Sequence, residues 1–159
     1  MFGNLSISDS LGFSNSSQDN SIDYIDLSTI ELLTGFVDKD SEDNKDDKGL
    51  KFILWTLFIS LKLGSTSLKL GKDHFNKIHS NQDGDKISEY YELFCSNFKK
   101  GRYASLIGED GEFKPLIYDK GNNNFYFHKY FESEKSIKKV IRDKVSLKFT
   151  KPDNYEDIK

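Results

Sequence analysis

Apolar positions divide this chain into stretches of different period. Ile22, Ile25, Thr29, Leu32, Leu33 and Phe36 recur three to four residues apart and predict a helix over 22–36. Its start is open between Asp26 as cap and a Ser28–Glu31 capping box, and Gly35 is the expected stop. The strongest helix signal is 50–64. Leu50, Ile53, Leu54, Leu57, Phe58 and Leu61 make one stripe, and Phe52, Trp55 and Ile59 make a second. A helix apolar nearly all round is buried on several sides, so this one is expected at the centre of the core. Ser67 to Leu70 alternates like a very short strand, and Asp73 to Ile78 suits a helical turn or two. Ile87, Tyr90, Tyr91, Phe94 and Phe98 then share a helix face, capped by Asp83 or Asp85 and stopped at Gly101. Tyr103 to Ile107 reads as a short helical segment.

The period changes after residue 113. Lys114 to Tyr118 and Phe125 to His128 are β-prone runs, separated by turn formers at 119–124 that tolerate positive φ. They predict a β-hairpin at about 114–128. A basic amphipathic helix follows from Tyr130, with Ile137, Val140, Ile141 and Val145 expected to face inward. The fold class is therefore α+β and mainly helical, a helical core with one hairpin and a basic C-terminal helix. Its organisation is a flexible tail at 1–20, one domain at 21–150 and a polar tail at 151–159. The alternative for 1–20 is a sticky arm carrying Phe2, Leu5, Ile7, Leu11 and Phe13.

Composition narrows the function. Twenty-three Lys and Arg against 26 Asp and Glu give a net charge of −3, unlike a wholesale polyanion binder. One Cys excludes a disulfide framework and a multi-Cys zinc site, and suits a reducing compartment. The greasiest run, Phe52 to Leu61, is half the length a bilayer requires. With no signal-peptide pattern at 1–20, a soluble, cytoplasmic chain is expected. Residues 38–48 hold six acids and three lysines, which predicts a solvated loop.

Motifs for chemistry fail on spacing. The glycines between Gly64 and Asp73 are too far apart for a P-loop, and Asp73 stands where a hydroxyl is required. A Ca²⁺ loop centred on Gly84 would put His79 at position one and Tyr90 at position twelve, so helix capping explains Asp83 and Asp85 better. His74, His79, His128 and Cys95 form no ligand set by spacing. No catalytic, cofactor or metal residue is nominated, and activity intrinsic to this chain is not expected. A small enzyme assembled from scattered residues stays as an unnominated alternative.

Two surfaces remain as candidates. The hairpin offers aromatics, of which one face would meet a partner, and Tyr118, Phe125, Tyr126, His128 and Tyr130 are the candidate partner-binding residues. The stretch 129–151 carries eight Lys and Arg against three acids, so Lys135, Lys138, Lys139 and Arg142 are weaker candidates for phosphate contact.

The segment from Lys114 to Ile141 resembles the end of the N-terminal domain of RecD, the exodeoxyribonuclease V alpha chain. Pro115-Leu116-Ile117-Tyr118 matches the family's first strand, Phe125-Tyr126-Phe127 its second, and Tyr130-Phe131 with Glu134 its helix start. Ile25 to Gly35 is similar to the opening helix, and Leu54 to Leu70 to the apolar helix, glycine and short strand. The chain departs from the family by an acidic insertion at 38–48, a longer hairpin turn, and the absence of Walker A and helicase motifs. No ATP, Mg²⁺ or DNA-translocation residue carries over. The resemblance implies a non-catalytic docking domain that holds a 5′–3′ DNA helicase against a RecC-like subunit in the RecBCD complex. RecB and DNA would then be met through the complex, in double-strand break repair and recombination. The alternative is a small nucleic-acid-binding module using the helix at 129–151.

Overall fold

A computed structural model describes residues 7–13, 22–38 and 47–147. In chain order the elements are α1 (Ile7–Leu11), α2 (Tyr24–Asp38), α3 (Lys48–Lys62), β1 (Leu68–Lys69), α4 (Lys72–Ile78), α5 (Gly84–Lys99), β2 (Ile107–Gly108), β3 (Leu116–Asp119), β4 (Asn124–Phe127) and α6 (His128–Ser146). Among the described residues the chain is α+β and mainly helical, as expected. Most of the acidic stretch 38–48 and the tail at 151–159 lie outside the described residues, as do Phe2 and Leu5.

α3 is the core helix. Ten of its 15 residues are buried, including Trp55, Phe52 and Leu50, because both of its apolar stripes find cover. α2, α4 and α5 pack on it. Asp83 caps α5 by accepting from the Asp85 amide at 2.9 Å, and Gly101 closes the helix with φ 75°.

The strands form one four-stranded sheet in the order β1-β4-β3-β2. β3 and β4 are the expected hairpin, with Ile117 opposite Tyr126 and Tyr118 opposite Phe125. β1 adds antiparallel to β4, with Leu68 opposite Phe125. β2 runs parallel to β3, so Ile107 belongs to a strand and not to the expected helical segment. Residues 101–106 are turns that bury Tyr103 and Leu106 and deliver Ile107 to the sheet edge.

Four further expectations are corrected. Residues 7–13 are not part of a tail. Leu11 is fully buried, and the Phe13 ring lies within 6.4 Å of the rings of Phe52, Trp55, His79 and Tyr90. Asp47, read as part of a solvated loop, is buried at the start of α3. It accepts from the Leu50 amide at 2.9 Å and from the Tyr103 hydroxyl at 2.8 Å. These bonds and the Arg102 guanidinium 3.6 Å away offset the cost of burying the carboxylate.

α2 is capped by Asp23, which accepts from the amides of Ile25 and Asp26 at 3.1 Å, and not by Asp26 or Ser28. α2 has two apolar stripes, and Ile30, Leu33 and Val37 are the buried one. Ile25, Leu32 and Phe36 of the other stripe point outward. The fourth correction concerns α6: Ile137, Val140, Ile141 and Val145 do not face inward but are all more than half exposed.

Candidate docking site on the C-terminal helix

The hairpin aims α6. Phe127 ends β4 in an extended conformation (φ −69°, ψ 140°), and the chain turns directly into the helix at His128. The His128 amide donates to the Pro115 carbonyl at 2.9 Å, and its Nδ1 lies 2.9 Å from the Lys114 carbonyl. The first turns of α6 are thereby tied to the strand that enters the hairpin.

One face of α6 looks back at its own domain. Phe131 meets the Tyr126 ring edge-on at 5.3 Å. Thr66, after α3, donates to Glu134 at 2.9 Å. Lys135 pairs with Asp110 at 2.6 Å and Lys138 with Glu134 at 2.7 Å. The Lys138 contact, with a lesser contribution from Thr66, holds the Glu134 carboxyl below its usual range against the opposing effect of burial. Asp110 raises Lys135, and Glu134 raises Lys138. Between this face and the hairpin lies an open cavity of about 620 Å³, floored by Tyr118, Tyr126 and Phe131 and walled by side chains of both charges.

The aliphatic residues of α6 lie in its C-terminal half. Ile137, Val140, Ile141 and Val145 follow at i, i+3, i+4 and i+8 and are 52–79% exposed. Tyr130, one turn and three residues before Ile137, lies on the same side and is partly exposed. Ile141 and Val145 follow Glu134 and Lys138 by seven residues on the same side of the helix, and the stripe is bare because every residue from Lys135 to Leu147 is exposed. An amphipathic helix whose own fold is its only partner buries such a stripe.

The candidate residues are therefore divided. Phe125 and Tyr126 are buried, Phe125 against Phe94 and Tyr126 under Phe131, so they are core and cannot meet a partner in this state. The packing accounts for this: α3 and α5 cover one face of the hairpin through Phe58, Phe94 and Phe98, and α6 covers the other through Phe131. Tyr118 is half-buried, donates to Asn123 at 2.9 Å and stands edge-on to Phe98. His128 is half-buried at the start of α6, and Tyr130 alone of the five sits beside the outward stripe. Phe113 was missed by the sequence reading. It is almost wholly exposed and its ring touches that of His128 at 5.2 Å.

Lys135, Lys138, Lys139 and Arg142 all line the cavity beside α6. Lys135 and Lys138 are held by carboxylates. Lys139 and Arg142 make no ion pair with any described residue. Among the described residues no group of three or more His, Cys, Asp or Glu side chains could hold a metal ion, and no helix is long and apolar enough to cross a membrane. No protein-family model, no curated protein and no solved structure matches the chain.

Proposed function

We propose that this chain is a protein-docking module and that the exposed aliphatic stripe of α6 is its docking element. The observation that carries the reading is an uncovered aliphatic stripe: Ile137, Val140, Ile141 and Val145 are all more than half exposed on a stretch of α6 that the domain leaves bare. A contiguous apolar patch rimmed by charge is what a protein partner removes from water. The RecD resemblance supplies the partner of this proposal, a RecC-like subunit of an exodeoxyribonuclease V complex acting on broken DNA ends. α6 carries six basic residues and three acidic ones, so the groove that receives it is expected to have an acidic rim.

The test is co-purification of the full chain with a RecC-like subunit over a range of salt. The wild-type chain should be retained at moderate salt, and Ile141→Glu with Val145→Glu should release it without unfolding the domain, because both positions are exposed. Retention of the double variant, or no retention of the wild type under any condition, removes the reading.

A second reading rests on Lys139 and Arg142, which are exposed and unpaired among the described residues. It is direct nucleic-acid binding along α6. It requires an affinity that falls steeply with salt. The carboxylates of Asp110, Asp119 and Glu132 in the same cavity weaken this reading by opposing a phosphate.

A further inference from the structure

The cavity between α6 and the hairpin has two ends of opposite charge, and the contacts along α6 order them. Lys135 pairs with Asp110 at 2.6 Å and lies within reach of the Glu132 charge, so the loop at 109–110 borders the first turns of the helix. Lys138, one turn on, lies within reach of the Asp119 charge, so the tip of the hairpin borders the turns that follow. At the first end three carboxylates, Glu109, Asp110 and Glu132, meet the single ammonium of Lys135. At the second end the cations of Lys120, Lys138, Lys139 and Arg142 outnumber the carboxylates of Asp119 and Glu134. Both of those carboxylates are engaged within the fold. Asp119 accepts from the Gly121 amide at 3.0 Å and from the Asn122 side chain at 2.6 Å, and Glu134 is held by Lys138 and Thr66.

The distance between the ends follows from the helix. Lys139 and Arg142 come seven and ten residues after Glu132, which at the rise of an α-helix is about 10–15 Å. The floor is aromatic, with the half-buried Phe131 edge-on to Tyr126 at 5.3 Å. A cavity of about 620 Å³ has the size of a small-molecule site.

This pattern selects a dipolar ligand. A phosphate ester would suit the basic end and oppose the acidic one, and a polyamine would do the reverse. A neutral molecule would answer neither end. The free termini of a short peptide answer both. An extended chain advances about 3.3–3.6 Å per residue, so three or four residues set an ammonium and a carboxylate about 10–14 Å apart.

We infer that the cavity binds free peptides of three or four residues that carry an apolar side chain. The N-terminal ammonium lies at Glu109 and Glu132, the C-terminal carboxylate at Lys139 and Arg142, and the apolar side chain on Phe131. An internal segment of a protein has neither terminal charge, so this site is separate from the aliphatic stripe of α6 and does not depend on it.

The experiment is a nuclear magnetic resonance titration of the isotope-labelled full chain with the tripeptide glycyl-phenylalanyl-glycine at low salt. The amides of residues 119–121 and 131–142 should shift and saturate. Capping the peptide then divides the ends. The C-amidated tripeptide should bind the wild type about three- to tenfold more weakly than the free one, and should bind Lys139→Gln with Arg142→Gln as well as the free one does. The N-acetylated tripeptide should show the same loss on the wild type and none on Glu109→Gln with Glu132→Gln. All four positions are exposed, so the variants keep the fold, which their spectra verify. Phenylalanine alone cannot reach both ends and should bind no better than a capped tripeptide. The inference is overturned by the absence of a saturable shift at these amides, by equal binding of free and capped tripeptides to the wild type, or by adenosine 5′-monophosphate binding more tightly than the tripeptide.

Discussion

The Tyr90 hydroxyl donates to the Leu11 carbonyl at 2.6 Å, and the Phe13 ring stands edge-on to the Tyr90 ring with centroids 5.7 Å apart. The relationship makes residues 7–13 part of the core. Phe13→Ala should lower the unfolding free energy by about 3–5 kcal/mol, the usual cost of removing a buried aromatic ring. Tyr90→Phe keeps the ring and loses only the hydrogen bond, so about 1 kcal/mol is expected. Urea denaturation reads both. A Phe13→Ala chain as stable as wild type would return this segment to the status of a tail.

Gly49 marks the closest crossing of α3 and α5. A Cβ there would lie 2.8 Å from the Phe94 nitrogen and 3.1 Å from the Tyr90 carbonyl oxygen. Both are backbone atoms and cannot swing aside. Alanine is the better helix former by about 1 kcal/mol, yet Gly49→Ala should destabilise by about 1–3 kcal/mol, because the two helices must separate. The sign is the test: a stabilised variant in a thermal melt would mean that α3 and α5 do not approach this closely.

Asp47 connects α3 to the turn after α5. Its carboxylate caps α3 and accepts from Tyr103 at 2.8 Å and Asn97 at 3.4 Å. Burial first, and then the Asp47 charge, push the Tyr103 hydroxyl pKa up, so it stays a donor throughout the accessible pH range. Asp47→Ala should cost about 2–4 kcal/mol, from the lost cap and the stranded donors. Tyr103→Phe should cost about 1–2 kcal/mol. Because the two share one bond, the double variant should be less damaged than the sum of the singles, with a coupling of about 1 kcal/mol in a double-mutant cycle. Strict additivity would show that the bond contributes nothing.

The sequence made α3, α5 and the hairpin legible for a physical reason. α3 is apolar on nearly every side, so any orientation buries it, and α5 has a single apolar face. The hairpin is set by its turn formers and by Tyr118 and Phe125 on facing strands. Periodicity states which residues share a face but not which face the fold covers. α2 has two stripes, and the more regular one, with Ile25, Leu32 and Phe36, is the one left outside. α6 has one stripe, and it stays bare because the hairpin and the loop after α3 meet only the first turns of the helix, at Phe131 and Glu134, and leave residues 135–147 exposed. The aromatic candidates Phe125 and Tyr126 failed for the same reason. Their alternation was legible, but the covering of both sheet faces depends on α3 and α5 on one side, which come from earlier in the chain, and on how α6 folds back on the other. Leu11 and Phe13 were named only in the sticky-arm alternative, because a Ser- and Asn-rich stretch with scattered apolar residues reads the same docked or free.

His79 makes the stability of this fold sensitive to acid. Its ring is fully buried among Phe13, Phe52 and Trp55. Thr56 donates its hydroxyl proton to the Phe52 carbonyl at 2.8 Å, so its oxygen accepts from His79 Nε2 at 2.9 Å. That places the single proton of the neutral ring on Nε2. Nδ1 has no partner among the described residues, and a second proton there would be an unpaired buried charge. Burial accordingly lowers the pKa from 6.5 to about 4. Above pH 6.5 the ring is neutral whether the chain is folded or not, and the group contributes no pH dependence. As the pH falls from 6.5 to about 4 the unfolded chain takes up a proton that the folded chain refuses, and stability is lost by at most about 3 kcal/mol in total. Below about pH 4 both forms are protonated and this loss levels off. His74, whose pKa is lowered by partial burial and by Lys77 and Lys69, and the lowered carboxyls of Asp23 and Glu134 act in the same direction. The effect of His79 is isolated by comparison with His79→Gln, whose amide can still donate to Thr56. Urea denaturation at pH 7 and pH 4.5 should show the wild type losing about 2–3 kcal/mol more than the variant over that interval. Equal losses in the two proteins would mean that His79 titrates normally and that its ring reaches water.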